Sequence, residues 1–362
     1  MNIMFLITGL GVGGAERQVV DLADALYRKG HKIQIVYLTG RADLLPEEEG
    51  ISVIALGVVK SIFGFVSAIR KFAKLVRLNS PDVVHSHMVH ANLVARISRV
   101  LVGMPKLICT AHSSNEGGKF RMLAYRITDG LADITTNVSQ EAADSLLAKG
   151  AAPAGRIIFV PNGIDTNRYK FDLDLRSNIR SKNLVAPDTV IILAVGRLVD
   201  AKDYPCLLDA FSLIIKRRKD TRLWIVGEGL QHQQLVTYAQ HINVSEYVTF
   251  FGRRNDVSSF YCASDIYALS SAWEGFGLVV AEAMSCERLV VATDCGGVKG
   301  VLGDDGYLVP ANNPQALADG IMLAMNLDDI AKKTLGLSAR SRVIDNYSLD
   351  KVVGLWEQLY QS

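Results

Sequence analysis

Residues 1–38 read MNIMFLITGLGVGGAERQVVDLADALYRKGHKIQIVYL, and this stretch decides the fold. It holds an apolar run, a glycine-rich turn, a segment with Val19, Leu22 and Leu26 at helical spacing, and a second apolar run. Apolar runs that alternate with helical periodicity indicate a βαβ unit with parallel strands. The first part of the chain is therefore predicted to be α/β.

The same alternation continues to about residue 165 and restarts near residue 190. The predicted strands are SVIAL, DVVHSH, KLICTAH, ADITTNVS and RIIFVPNG, and then VIILAVGR, RLWIVGEG, VTFFG, DIYALSS, RLVVATDCGG and GYLVP. The polar stretch 166–188 has the composition of an interdomain segment. We predict two doubly wound, Rossmann-like domains, 1–165 and 189–346, with an amphipathic C-terminal helix, about 347–362, that packs back on the first.

Composition sets limits on the function. The chain has 362 residues, of which 49% are apolar, and its net charge of +2 leaves no footprint of a nucleic-acid-binding protein. No apolar run reaches the roughly 18 residues that span a bilayer, and residues 2–8 are typical of a strand rather than a signal peptide. We expect a cytoplasmic protein whose five cysteines are buried thiols, since they lack metal-site or redox spacing.

The first glycine-rich turn is a candidate anion site. Gly9, Gly11 and Gly14 satisfy the G-x-G-x-x-G spacing between a strand and a helix, where backbone amides can meet a phosphate. The dinucleotide pattern also requires an acid at the end of the second strand, where the chain has Thr39 and Gly40. The turn therefore predicts phosphate binding but argues against a nicotinamide cofactor.

Charged residues follow two strands of the second series. Arg197 and Lys202 come after VIILAVG and could straddle a diphosphate, although solvated surface cations are common at such positions. The stretch SAWEGFGLVVAEAM, residues 271–284, holds Glu274 in a glycine-rich loop and Glu282 two helical turns later. Glu282 stands among apolar residues and needs a hydroxyl or cation partner if it is buried. One strand-end pocket could hold both carboxylates, unless Glu282 is salt-bridged and Glu274 solvated.

Taken together, the motifs resemble those of a known family. In order they are Gly13-Gly14-Ala15-Glu16, Thr110-Ala111-His112, VPNGID at 160–165, Gly196-Arg197-Leu198, VGEG at 226–229, and the E-x7-E pair Glu274 and Glu282. The set covers nearly the whole chain and resembles glycosyltransferase family 4, the retaining GT-B enzymes that include many bacterial cell-surface polysaccharide transferases. The resemblance implies two Rossmann-like domains facing each other across a cleft, with the acceptor on the first and the donor on the second.

The resemblance also implies a reaction: transfer, with retention, of a hexose or N-acetylhexosamine from a nucleoside-diphosphate sugar, UDP-sugar foremost. The acceptor would be a glycan or a polyprenyl-diphosphate-linked glycan, in the synthesis of O-antigen, capsule or exopolysaccharide. The catalytic residues so implied are His112, Glu274, Arg197 and Lys202. The donor-binding residues so implied are Gly13, Gly14, Arg197, Lys202, Arg253, Glu274, Phe276, Gly277, Leu278, Val279 and Glu282.

Each residue takes a role by the same resemblance. The diphosphate lies on Arg197, Lys202 and the amides that begin at Gly277. Glu282 takes the ribose hydroxyls and Glu274 the sugar hydroxyls. His112 lies beside the sugar near the reacting carbon, the Gly13–Gly14 turn approaches the phosphates, and the base stacks near Gly252 and Arg253.

The chemistry agrees with these residue types, because a departing diphosphate gathers charge and fixed cations stabilise it. Metal-dependent transferases use an Asp-x-Asp at a strand end. The matches here are Asp172-Leu173-Asp174 in the interdomain segment and Asp304-Asp305 in a turn. We therefore predict a metal-independent enzyme without a cofactor, in which the nucleotide-sugar is a substrate.

Two further segments invite a function. His85, His87 and His90 could suggest zinc, but no cysteine or carboxylate lies close in sequence, so loop or acceptor-cleft histidines are the preferred interpretation. The segment 60–77 has an apolar helical face with a basic side, which fits either an ordinary packed helix or peripheral contact with the inner membrane face. The apolar face comprises Phe65, Val66, Ile69, Phe72, Ala73 and Val76.

Two alternatives to a transferase stay open at this point. A GT-B nucleotide-sugar epimerase or hydrolase would share the donor residues without an acceptor. A noncatalytic sugar-nucleotide-binding or membrane-scaffolding protein would bind the nucleotide without turnover.

Overall fold

The computed structural model describes residues 1–113 and 117–362. The chain divides into two compact units, one formed by Met1–Gly163 with Leu349–Ser362 and the other by Ile164–Ser348. The segment 166–188, which the sequence suggests is interdomain, belongs to the second unit and contains a helix over Leu173–Lys182.

The first unit is built on a parallel sheet of seven strands in the order β3-β2-β1-β4-β5-β6-β7. Its strands are β1 Asn2–Ile7, β2 Lys32–Tyr37, β3 Ser52–Ala55, β4 Val83–His87, β5 Lys106–Ala111, β6 Ile134–Asn137 and β7 Ile157–Phe159. The helices between them are α1 Gly14–Arg28, α2 Ile62–Asn79, α3 Val89–Ser98, α4 Lys119–Thr128 and α5 Gln140–Ala148.

The second unit has a parallel sheet of six strands in the order β10-β9-β8-β11-β12-β13. Its strands are β8 Val190–Val195, β9 Thr221–Val226, β10 Val248–Phe250, β11 Ile266–Leu269, β12 Leu289–Asp294 and β13 Tyr307–Pro310. Its helices are α6 Leu173–Lys182, α7 Tyr204–Ile215, α8 His232–His241, α9 Val257–Ala263, α10 Leu278–Ser285, α11 Val298–Leu302, α12 Pro314–Met325 and α13 Asp329–Tyr347.

These elements follow from the apolar pattern of the sequence. Strands buried on both faces need apolar side chains on both, and β1 is such a strand, with Ile3 to Ile7 fully buried. Side chains of β1 alternate between two cores, so that Phe5 packs with α1 on one face and Met4 with α2 and α3 on the other. The predicted fold class, two parallel-sheet Rossmann-like domains, is confirmed.

The last helix, α14 Leu349–Gln361, belongs to the first unit and contacts α1. Val352, Val353, Trp356 and Tyr360 are buried in the core cluster that also holds the inward face of α1. These residues form the apolar stripe that the sequence shows over the C-terminal segment. The chain thus returns to its first sheet after completing the second.

Most of the apolar residues of helix α2 face the core of the first unit, although the sequence allows them to form a membrane-contacting face. Ile69, Phe72 and Val76 are buried in the core beneath the sheet, because the face that carries them covers strands β1, β2 and β4. The exposed apolar residues at the start of this helix are instead Ile62 and Phe63, 83% and 89% exposed. Within the described residues, every helix falls short of the length and apolar character that a membrane crossing requires.

Candidate active site

The second unit presents its charged residues where its strand order reverses. Strands β8 and β11 are neighbours in the sheet but not in the chain, and β9 lies on the far side of β8. Ligands of doubly wound proteins bind beyond the carboxyl ends of the strands at such a switch point. The loop that starts at Gly196 follows β8, and the loop that starts at Ser270 follows β11.

Lys202 and Glu274 meet at this edge of the sheet. The Lys202 Nζ lies 2.5 Å from the Glu274 Oε1, and the Ser271 hydroxyl donates to the same oxygen over 2.8 Å. The two charged side chains are 18% and 15% exposed, so the pair lies in a partly desolvated setting where its attraction exceeds that of a surface pair. Glu274 Oε1 is thus held from two sides.

Backbone and hydroxyl contacts hold the two loops against each other. The Ser270 hydroxyl donates to the Lys202 carbonyl over 2.8 Å, and the Ala272 amide donates to the Ala201 carbonyl over 2.9 Å. The Thr293 hydroxyl, at the end of β12, donates to the Ser271 carbonyl over 2.7 Å. The positions of Lys202 and Glu274 are therefore set by rigid neighbours rather than by their ion pair alone.

Two glycines permit neighbouring loops to approach each other closely at this edge of the sheet. Gly227 has φ +145°, and a Cβ there would overlap the Gly196 carbonyl oxygen. Gly296 has φ +55°, and a Cβ there would overlap the carbonyl oxygen of Glu274. Only glycine combines these backbone angles with no side chain, so both turns depend on it.

Helix α10 starts beside the ion pair. Gly277 precedes it in a left-handed conformation, φ +95°, with no side-chain cap, and the adjacent Phe276 is 4% exposed. The first amides of a helix have no partner within the helix and carry a partial positive charge, so the amides of Leu278 and Val279 suit an anion. These are residues that the resemblance assigns to the donor diphosphate.

Glu282 lies about one turn into α10 and is 8% exposed. The Tyr261 hydroxyl donates to the Glu282 Oε2 over 2.8 Å, which supplies the hydroxyl partner that a buried carboxylate needs. Burial and the Glu282 charge together hold the pKa of Tyr261 well above its ordinary value. Tyr261 therefore stays protonated and donates.

Tyr204 contacts the loop that follows β8. Its hydroxyl donates to the Gly196 carbonyl over 3.0 Å, and burial, with the Glu274 charge, raises the pKa of Tyr204 above its ordinary value.

Arg197, one residue after Gly196, is exposed, as is Arg253 after β10. The Gly227 amide donates to the Gly252 carbonyl over 2.8 Å, so the ends of β9 and β10 lie together.

In the first unit, the predicted phosphate turn leads into α1. Gly13 precedes the helix in extended conformation without a side-chain cap, and Gly14 is the first helical residue and exposed. Further into the helix, the Gln18 side chain is 4% exposed and accepts the Gly163 amide over 2.8 Å. The start of α1 thus lies at an exposed glycine, a position where helix amides can meet an anion.

His112 follows β5 and contacts a second histidine. Its Nε2 lies 3.0 Å from the His87 Nδ1, and burial lowers the pKa of His112 to about 4. His85 and His87 lie within β4 and are 0% and 1% exposed, so the interpretation as loop or acceptor-cleft histidines is wrong for both. His90, in contrast, is exposed near the start of α3.

Asp172 and Asp305, one from each of the two acidic stretches, have structural roles. The Asp172 side chain caps α6 and accepts the amides of Asp174 and Leu175 over 2.8 and 2.9 Å. The Asp305 side chain accepts the Ser338 hydroxyl over 2.5 Å. Across residues 1–113 and 117–362, no group of three or more His, Cys, Asp or Glu side chains is arranged to hold a metal ion.

Two family models match the chain. The model "Glycosyltransferase Family 4" matches residues 12–168, and the model "Glycosyl transferases group 1" matches residues 176–342. The fold and these matches define a GT-B glycosyltransferase. The chain belongs to glycosyltransferase family 4, as the motifs suggest.

Known relatives agree with this class. An uncharacterized glycosyltransferase of Haemophilus influenzae is 27% identical over 98% of this chain and 99% of its own. An N-acetylgalactosamine-N,N'-diacetylbacillosaminyl-diphospho-undecaprenol 4-alpha-N-acetylgalactosaminyltransferase of Campylobacter jejuni is 25% identical over 93% of each chain. The crystal structure of Anabaena HepE in complex with UDP and glucose is 22% identical, covers 100% of both chains and has a TM-score of 0.85, which supports the fold.

Several residues of the site carry no role in the sequence analysis. Ser271 lies within the quoted E-x7-E stretch, and its hydroxyl three residues before Glu274 is a signal that could have been used. Tyr204 and Tyr261 lie 70 and 13 residues before Glu274, on other elements, and nothing local in the sequence connects them to it. Only the tertiary structure brings these hydroxyls to the site.

Proposed function

We propose that the protein transfers a hexose or N-acetylhexosamine from a UDP-sugar to a glycan carried on a polyprenyl diphosphate, with retention and without a metal ion. The observation that carries the proposal is the Lys202–Glu274 pair at the switch point of the second sheet, beside the start of α10. This arrangement offers a cation and helix amides to a diphosphate, next to a carboxylate for sugar hydroxyls.

The donor roles follow from charge and position. Lys202 and the exposed Arg197 neutralise the two phosphates, and the amides at the start of α10 add donors. Glu274 keeps its Oε2 for a sugar hydroxyl, because Oε1 is bound by Lys202 and Ser271. Glu282, fixed by Tyr261, takes the ribose hydroxyls.

Metal independence rests on the same cations. Cleavage of the sugar–phosphate bond leaves charge on the diphosphate, and preorganised cations stabilise that charge in the transition state. Arg197 and Lys202 supply them, so we propose that the enzyme needs neither a metal nor a cofactor. Transfer should then continue in EDTA.

The acceptor class is supported by relatives and by the surface of the first unit. The Campylobacter jejuni relative acts, by its name, on a diphospho-undecaprenol-linked sugar. Around α2, exposed Ile62 and Phe63 lie next to Lys60, and around α4 Phe120 and Ile127 are 88% and 73% exposed. Apolar side chains with neighbouring cations suit an anionic bilayer surface.

The electrostatics of this surface point the same way. The pKa of His90 is lowered by partial desolvation of its ring and by the positive charges of Arg121 and Lys60, which places two cations near the start of α3. We propose that α2, α3 and α4 contact the inner face of the cytoplasmic membrane peripherally, where a lipid-linked acceptor would be found.

The donor test is a thermal-shift screen of UDP-, GDP- and ADP-sugars. A donor at about a hundred times its Kd adds about 2.7 kcal/mol to stability and raises Tm measurably. Product analysis with and without a polyprenyl-diphosphate-linked acceptor then separates the activities, since an epimerase or hydrolase turns over donor alone. Donor binding without turnover under either condition would contradict a transferase and support a noncatalytic binding protein.

The membrane test compares vesicles. Sedimentation with phosphatidylglycerol vesicles at low salt should retain the wild-type protein and lose the I62S/F63S variant. The matched control is Ile330→Ser, which removes an apolar side chain of 80% exposure from the second unit. Equal sedimentation of wild type and I62S/F63S would overturn the membrane proposal while leaving the donor chemistry untouched.

A further inference from the structure

We propose that His87 is a positioning residue for His112, to which it donates a hydrogen bond that decides which ring nitrogen of His112 carries the proton. The inference rests on the proposed function and on the place beside the donor sugar that the resemblance to glycosyltransferase family 4 implies for His112. His87 itself lies inside strand β4 and contacts His112 from there.

The contact joins two neutral rings. His87 Nδ1 and His112 Nε2 are 3.0 Å apart, and burial lowers the pKa of both side chains below the physiological range. A neutral imidazole has one N–H and one lone pair, so one of these two nitrogens must donate and the other accept. The contact alone does not say which.

The other nitrogen of His87 decides the direction. Its Nε2 is buried, and within the described part of the chain it has no hydrogen-bond partner. If His112 donated, the remaining proton of His87 would lie on Nε2 as a buried N–H without an acceptor. If His87 donates, the atom without a partner is a lone pair, and buried donors without a partner are the rarer case in proteins.

The ring of His87 is held in place by its neighbours. Its ring lies against that of His85, tilted by 38° with the centroids 4.1 Å apart, and its centroid lies 5.6 Å from that of Phe5. His85 is fixed in turn by the Tyr360 hydroxyl at 2.8 Å and the Thr110 hydroxyl at 2.7 Å. Rotation of the His87 ring would therefore disturb a packed cluster that includes α14.

The backbone after His87 adds a second constraint. Met88 has φ 73° and ψ 153°, a region that residues other than glycine rarely occupy and that costs about 1–3 kcal/mol. The Met88 amide donates to the Thr110 carbonyl over 3.0 Å, which ties the end of β4 to the strand that precedes His112. Such conformations concentrate at functional sites, where the surrounding structure maintains them.

The consequence concerns what His112 can do. With its Nε2 accepting from His87, His112 carries its proton on Nδ1 and acts through that nitrogen as a hydrogen-bond donor. A neutral N–H donor can hydrogen-bond to a sugar hydroxyl oxygen. A general base would instead need an unprotonated Nδ1, which is the other tautomer of His112. His112 would therefore orient the sugar and would not remove a proton from the acceptor.

The test is nitrogen-15 NMR of histidine-labelled protein at pH 7.5, with two variants of His87. The chain has seven histidines, and the signals of His112 are assigned by their loss in His112→Gln. Wild type should show His112 protonated on Nδ1. His87→Asn keeps an amide N–H near the position of Nδ1 and should keep that tautomer, whereas His87→Leu should lose it.

The kinetic arm measures transfer by the same variants. His87→Leu should lower kcat about 10- to 100-fold with a smaller change in the donor KM, and His87→Asn should restore most of kcat. His241→Asn is the control, because it removes an exposed imidazole at the end of α8 and leaves the packing around the His87–His112 contact intact. It should keep both the tautomer and kcat.

The outcomes separate this inference from the proposed function. The role proposed for His87 would be overturned if wild-type His112 carried its proton on Nε2, or if His87→Leu changed neither the tautomer nor kcat. The wild-type spectrum alone decides the tautomer if both variants fail to fold. Absence of transfer by the wild type with every donor would instead overturn the proposed function, while the NMR result would still decide the role of His87.

Discussion

The Lys202 ammonium and the Glu274 carboxylate form an ion pair across two neighbouring strand ends of the second sheet, with 2.5 Å between Nζ and Oε1. By the proposed function, one partner binds the donor diphosphate and the other the donor sugar. In the ligand-free protein they neutralise each other. When the donor binds, its diphosphate must therefore compete with Glu274 for Lys202, and this competition can be measured.

Glu274→Gln should separate nucleotide binding from transfer. The amide keeps an oxygen for Ser271 but removes the charge that competes for Lys202, so we expect UDP to bind as tightly as to wild type or tighter. Transfer should fall about 10- to 100-fold, because a neutral acceptor replaces a charge-assisted hydrogen bond to the sugar. Calorimetry with UDP and initial rates give the two readings, and weaker UDP binding would argue against competition.

Arg197→Ala and Lys202→Ala should each lower kcat/KM by about a hundredfold or more, because each removes a cation at the leaving group. Lys219→Ala is the control, since Lys219 is an exposed lysine of the same unit that lies outside the site. Near-normal rates in both site variants would contradict the assigned mechanism.

Tyr261→Phe tests how Glu282 is held. The variant removes the hydroxyl that donates to Glu282 over 2.8 Å and costs about 1–3 kcal/mol of stability. We expect a higher KM for the donor with a smaller change in kcat, because Glu282 is assigned to the ribose and not to the reacting carbon. Tyr267→Phe provides a matched control in the same aromatic cluster, 5.7 Å from Tyr261 between ring centroids. A fall in kcat at constant KM would show that Glu282 acts elsewhere.

Acid should destabilise the first unit through its buried histidines. Burial lowers the pKa of His85, His87 and His112 in the folded protein, so the unfolded chain binds more protons as the pH falls below about 6.5. Their contribution to stability is therefore complete above that pH and is lost progressively toward pH 4.

Urea unfolding at pH 7.5 and 5 measures this loss, followed by fluorescence of Trp356 in a W224F/W273F background. For His112, whose folded pKa is about 4, we expect about 1–2 kcal/mol less stability at pH 5. His112→Gln should flatten the dependence. A stability that rises on acidification would contradict buried neutral histidines.

The sequence predicted elements and strand ends better than it predicted contacts. Apolar runs and the E-x7-E spacing place Lys202 and Glu274 at the carboxyl edge of one sheet, because parallel strands present those ends together. Their direct pairing depends on which strands are neighbours, and the order β8-β11 cannot be read from spacing. Tyr261 is a clearer case, since its role appears only when α9 and α10 are packed.

Burial was the least predictable property. The helical periodicity of 60–77 is compatible with a membrane-facing stripe or a core-facing stripe, and only the packing of α2 on the sheet decides for the core. His85 and His87 have the sequence pattern of polar strand-end residues, yet both are buried, and α14, more than 260 residues later, packs Trp356 and Tyr360 against His85. Contacts over such a separation leave no local signal.

The central claim is tested most directly by incubating the EDTA-treated protein with its stabilising nucleotide-sugar and a polyprenyl-diphosphate-linked acceptor, with mass spectrometry of the lipid product. We expect an acceptor heavier by one hexose or N-acetylhexosamine, formed at a rate that EDTA does not change and that falls about a hundredfold or more in Lys202→Ala. Donor turnover without transfer, or activity lost in EDTA and restored by manganese, would contradict it.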